Sequence, residues 1–171
     1  MKYLARLLFV FSILLPVSVM ACLQKHGTFE FSDSKAIFMK GADAGAAYFT
    51  LTQTVSSDDK LIGARWETTD ESLLSKPLLQ RPRVELHDHV PTEKPGILAM
   101  KRTPEGVKVS KQEPVKFEQG GKHLMLYNFP ESARNGKEIQ LVLTFEKAGD
   151  VTVTFPINPT NGDKDKPCSH Y

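Results

Sequence analysis

The chain has 171 residues, 22 basic and 20 acidic, with 40% hydrophobic residues and a formal charge of +2. That length suits one domain with a real core. The near-neutral balance lacks the basic field that nucleic-acid binding needs.

The N-terminus reads as an export signal. Lys2 and Arg6 precede an apolar stretch over 7–19 that is broken only by Ser12, Pro16 and Ser18. It is too short and too interrupted for a membrane span. Residues 1–21 are therefore assigned to a signal peptide. Its removal takes away two basic and no acidic residues, so the mature chain is neutral with neutral His. Val19-Met20-Ala21-Cys22 also resembles a lipobox, which would make Cys22 an acylated first residue and a membrane anchor. The rival reading pairs Cys22 with Cys168 in an oxidising compartment. Either one removes Cys22 from catalysis.

Strand patterns dominate the mature chain. Short strands are expected at 28–31 and 36–39, and an alternating apolar/polar strand at 46–54. Further strands follow at 60–66, 83–90, 97–102, 107–109, 115–118, 122–128, 139–146 and 151–157. Turn-forming clusters separate them at 56–59, 91–96, 104–106, 119–121 and 148–150. Only 69–75 suggests helix, capped by Asp70 or Thr69 and stopped by Pro77. The pattern indicates an all-β fold, an antiparallel β-sandwich or barrel, spanning 22–157. Residues 158–171 form a polar C-terminal tail.

Four side chains on these strands are metal-compatible: His87, Met100, His123 and Met125. In the strand containing His123-Leu124-Met125, alternate residues share a face. The leucines belong in the core, so His123 and Met125 face outward, where a methionine has no packing role. A hairpin closing symmetrically about 91–96 sets His87 opposite Met100 and His89 opposite Leu98. This makes His89 a rim residue that could assist His87. Imidazole with thioether suits copper, and thioether favours Cu(I). Four neutral ligands leave a cuprous site at net +1, cheaper to bury than an unpaired dication. No nucleophile motif or phosphate-binding loop is present, so no enzyme activity is expected.

The stretch 46–157 resembles the periplasmic copper(I) chaperones of the PCuAC type. The resemblance is carried by Ala46-Ala47-Tyr48-Phe49-Thr50-Leu51-Thr52, Val84-Glu85-Leu86-His87, Gly120-Gly121-Lys122-His123-Leu124-Met125-Leu126 and Leu143-Thr144-Phe145-Glu146-Lys147-Ala148-Gly149. It implies a cupredoxin-like Greek-key sandwich. His87, Met100, His123 and Met125 would take the roles of the family's His, Met and His-x-Met ligands. It also implies a periplasmic carrier of Cu(I). The expected acceptors are a cytochrome oxidase subunit or a thioredoxin-like assembly factor. The chain departs from the family in its intervals, with twelve residues between His87 and Met100 and twenty-two between Met100 and His123. The segment 68–83 is longer than the usual link. Asp88-His89 stands where relatives often carry methionine, which would admit Cu(II).

Two other classes compete with a copper carrier. A metal-free envelope interaction module would use the sandwich alone. A cupredoxin-like redox protein would need a cysteine ligand near the two histidines, and neither cysteine lies near the pattern.

Overall fold

The computed structural model describes residues 23–42 and 44–159. The signal segment, Cys22, and the tail from residue 160 with Cys168 and His170 lie outside the described residues. Among the described residues, eleven strands form two antiparallel sheets packed face to face. They are β1 (Gln24–His26), β2 (Phe29–Phe38), β3 (Ala44–Gln53), β4 (Asp59–Trp66), β5 (Arg83–Pro91), β6 (Leu98–Arg102), β7 (Val107–Val109), β8 (Val115–Phe117), β9 (His123–Tyr127), β10 (Glu138–Phe145) and β11 (Gly149–Pro156). The larger sheet runs β1-β2-β3-β9-β5-β6, with β8 also paired to β3; the smaller runs β11-β10-β4-β7. The chain crosses between the sheets after β3, β4, β6, β7 and β9. This is the expected all-β, Greek-key sandwich.

Alternation explains the core. In β3, Gly45, Ala47, Phe49, Leu51 and Gln53 are buried while their neighbours are only partly covered. Phe49 stacks on Phe117 with centroids 4.2 Å apart and meets the edge of Phe155 from the facing sheet. Phe29 stacks on Phe145 at 4.0 Å in the same way. Leu86, Leu124 and Leu126 join this core from the larger sheet, and Leu61, Leu141 and Leu143 from the smaller one.

The two short strands expected at 28–31 and 36–39 are one strand, β2. Its pairing with β3 shifts register between Ser32 and Lys35, and Asp33 takes a positive φ of 55°. The extra residue lets Phe29 and Phe31 face the core before the bulge, and Ala36 and Phe38 after it. The helical turn is present as α1 (Glu71–Leu74), with Asp70 accepting from the Ser72 backbone at 3.0 Å. A 3-10 turn at Leu78–Gln80 and a second helical turn, α2 (Glu131–Arg134), lie outside the strand expectations. Asn158 is part of the folded body: its side chain bonds both the N–H and the carbonyl of Phe38, at 2.9 and 3.0 Å.

Among the described residues no helix is long and apolar enough to cross a membrane.

Candidate metal centre

The site lies on the outer face of the larger sheet, where β9 runs between β3 and β5. Leu124 and Leu126 are fully buried on the inner face. His123, Met125 and Tyr127 therefore point outward. Strand β5 pairs with β9 so that His87 faces His123 and Glu85 faces Met125. Directly opposed residues on one face have Cβ atoms about 4.5–5.5 Å apart. Two of the sequence-singled residues, His87 and His123, are thus cross-strand neighbours with ring centroids 5.9 Å apart. Met125 is next on the same face of β9.

The hairpin between β5 and β6 corrects one expectation. Its register sets His89 opposite Met100, and His87 opposite Arg102. The turn is tighter than a symmetric 91–96 loop. Pro91 still pairs with Leu98, the Thr92 N–H donates to the Ile97 carbonyl at 3.0 Å, and Gly96 turns the chain at φ 77°. The offset is two residues, one full side-chain period, so Met100 stays on the histidine face while its partner changes.

Met100 reaches His123 across this face, with Sδ 3.2 Å from Nε2. The other ring nitrogen, Nδ1, lies 2.8 Å from the Gly121 carbonyl. A carbonyl only accepts, so the proton sits on Nδ1 and a lone pair on Nε2. That lone pair faces the thioether sulfur with no proton between them. Metal-ligating histidines carry this kind of outer hydrogen bond. Bonds of about 2.0 Å to imidazole and about 2.3 Å to sulfur set tetrahedral ligands about 3.5 Å apart, close to the spacing seen. The Gly120-Gly121 turn positions the carbonyl: Gly120 adopts φ 83°, and the Gly121 N–H closes on Glu118 at 3.1 Å.

His123 is only 4% exposed although it stands on the outer face. Burial, helped by the neighbouring His89 and His87, lowers its pKa and keeps it neutral, as a ligand must be. Met100 is 48% exposed and forms the open side of the cluster.

His87 is held differently. Its Nε2 is 3.1 Å from Glu85 Oε2, and Arg83 Nε holds the other carboxylate oxygen at 3.2 Å. Burial pushes the Glu85 pKa up, but hydrogen bonds from His87 and Arg83 and the charge of Arg102 outweigh it and leave it lowered. An ionised carboxylate only accepts, so His87 donates to it from Nε2–H. Nδ1 is then buried with no hydrogen-bond partner. A buried polar atom without a partner is costly unless a ligand uses it. Among the described residues no three His, Cys, Asp or Glu side chains are grouped to hold a metal. A centre here therefore has to draw on methionine sulfur, and these donors fit a soft metal ion.

A family model of putative LpqE-like lipoproteins matches residues 29–157. The chain belongs to the LpqE-like family. It is also similar in fold to PCuAC domains of known structure. One is the copper-bound PCuAC domain from PmoF2, at 19% identity and TM-score 0.58, covering 81% of this chain and 98% of that one. Another is the apo PCuAC domain from PmoF1, at 16% identity and TM-score 0.56, covering 81% and 99%. No curated protein matches the chain significantly. The expected PCuAC resemblance and cupredoxin-like sandwich are thereby found.

One member of the cluster, His89, is misplaced by the sequence register. The signal that could have found it is the shared sheet face of His87, His89 and Met100, which survives any two-residue slip.

Proposed function

We propose that this LpqE-like protein is a copper carrier that binds Cu(I) through His87, Met100, His123 and Met125 and passes it to an acceptor protein. The contact between His123 Nε2 and Met100 Sδ carries this reading: two lone-pair donors aimed at each other, one of them neutral and fixed by a backbone carbonyl. The copper-bound state of a fold relative supports it.

Each donor has a part. His123 supplies a preorganised nitrogen. His87 supplies the buried Nδ1 that Glu85 leaves free. The thioethers select the cuprous state. Neutral ligands and the open Met100 side favour release by ligand exchange over storage or catalysis, so the protein is not an enzyme.

The acceptor is a copper-requiring envelope protein, with a cytochrome oxidase subunit or a thioredoxin-like assembly factor as first choices. The export signal and the family's lipoprotein description support a periplasmic location with Cys22 as lipid anchor. Mass spectrometry of the mature N-terminus tests the anchor: an acyl mass on Cys22 supports it, and an unmodified Cys22 removes it.

Anaerobic Cu(I) titration against a chromophoric chelator tests the function. Tight uptake by the mature protein supports it, and failure to compete rejects it. No cysteine lies between Leu23 and Pro159, which disfavours a blue-copper redox centre.

A further inference from the structure

The segment between β4 and β5 presents leucines to solvent. Leu78 and Leu79 are 75% and 84% exposed, the two most exposed large apolar side chains among the described residues. Leu74 nearby is about half exposed, whereas Leu73 is buried. The exposure is built into the turn. Arg81 Nε donates to the Lys76 carbonyl at 2.7 Å, and Asn128 Nδ2 donates to the carbonyls of Leu79 and Arg81 at 2.7 and 3.2 Å. Arg83 Nη1 donates to the Leu79 carbonyl at 3.3 Å while its guanidinium lies 4.3 Å over the Tyr127 ring. The backbone of the turn is thus clamped to the start of β5 and the end of β9, and both leucine side chains stay outside. Pro77 and Pro82 bracket the turn and restrict its backbone further. From Ser72 to Val84 the chain carries Lys76, Arg81 and Arg83 and no acidic residue. The cleft beside Leu79 is lined by Lys76 and Arg134, with Glu131 as its acid.

We propose that this turn is a membrane-surface contact: Leu78 and Leu79 enter the headgroup layer of an anionic bilayer, and Lys76 and Arg81 meet lipid phosphates. Exposed apolar side chains flanked by cations have the composition of an interfacial segment. Water around two adjacent leucines is a cost that an apolar layer removes. Because the clamped turn is already ordered, it inserts with little loss of freedom. The contact is separate from any acyl group on Cys22. A single acyl chain holds a protein to a membrane only weakly, so a second attachment strengthens it. The contact also orients the larger sheet. Arg83–Tyr127, Glu85–Met125 and His87–His123 are successive same-face pairs of β5 and β9. Four residues of strand, at about 3.4 Å each, separate the pair beside the turn from the histidine pair by about 14 Å. On the copper-carrier reading, this keeps the metal site close to the bilayer and open to a membrane-held acceptor.

The test uses the full mature chain with Cys22→Ser, so that no acyl group contributes. Co-sedimentation measures its affinity for vesicles of phosphatidylglycerol mixed with phosphatidylcholine and for vesicles of phosphatidylcholine alone. This parent protein should bind the anionic vesicles, and the neutral ones more weakly. The double variant Leu78→Ser, Leu79→Ser should lose about ten-fold or more in affinity for the anionic vesicles. Lys76→Gln should lose about five-fold and weaken the salt dependence. Urea midpoints and Cu(I) competition on the same samples report whether fold and metal site are intact. A parent that fails to bind anionic vesicles would overturn the proposal, as would equal binding by the parent and the leucine variant. A parent that ignores vesicles but dimerises through the leucines would assign the face to a second copy of the chain. The carrier reading is judged by the Cu(I) titration alone, so the two can fail separately.

Discussion

Met100 and His123, twenty-three residues apart in the chain, meet with sulfur 3.2 Å from ring nitrogen. Two strands that are not hydrogen-bonded to each other, β6 and β9, thus place their side chains at one point, with β5 between them. Met100→Leu keeps the volume and removes the sulfur. Because Met100 is half exposed, stability should change by no more than about 0.5 kcal/mol. Cu(I) affinity should fall by about ten-fold or more. Urea unfolding and chelator competition on the same preparation separate the two effects.

Glu85 is expected to act through His87. It holds the imidazole by Nε2, while Nδ1 stays buried with no hydrogen-bond partner. Glu85→Ala should lower copper affinity about 10–100-fold, the usual cost of losing an outer hydrogen bond to a metal-bound histidine. Glu85→Gln, which retains an acceptor, should recover part of the loss. Nitrogen NMR of His87 would report the change of tautomer in the Ala variant.

The lowered pKa of His123 makes a signed prediction for the metal-free protein. The cause is burial first, with His89 and His87 adding to it. As the pH falls below the ordinary value of 6.5, the unfolded chain takes up this proton before the folded one. The contribution of neutral His123 is therefore complete above that value and is lost as the pH falls towards the folded pKa. His26, lowered by its own burial, acts in the same direction. The urea midpoint should fall as acid is added from pH 6.5, and His123→Gln should flatten part of that slope. A midpoint that rises over this window would contradict the assignment.

Core packing gives a stability control. Phe49 lies between Phe117 and Phe155 and is 1% exposed. Phe49→Ala should cost about 3–5 kcal/mol, the range for a buried aromatic truncated to alanine. Denaturant unfolding checks it.

Much of this arrangement was legible in the sequence because strand parity is robust. Leu124 and Leu126 identified the inner face of β9, which left His123 and Met125 outside. The partner of Met100 was not legible, since it depends on how Thr92 closes the turn. That hydrogen bond moves the register by two residues and promotes His89 over His87. The bulge at Asp33 was hidden for a related reason. A left-handed residue inside β2 reverses the alternation and makes one strand read as two. The Glu85–His87 contact depends on rotamers that no spacing rule supplies. The Gly121 carbonyl that holds His123 needs the folded turn.

The most direct measurement is anaerobic Cu(I) competition on wild type and Met125→Ala. Met125 sits beside His123 on β9 and opposite Glu85, so its sulfur is the donor whose role depends most on the proposed cluster. The account predicts that wild type takes Cu(I) from the chelator and that the variant binds about ten-fold more weakly or worse, with its fold intact. Equal Cu(I) affinity in the two proteins would contradict the assigned site.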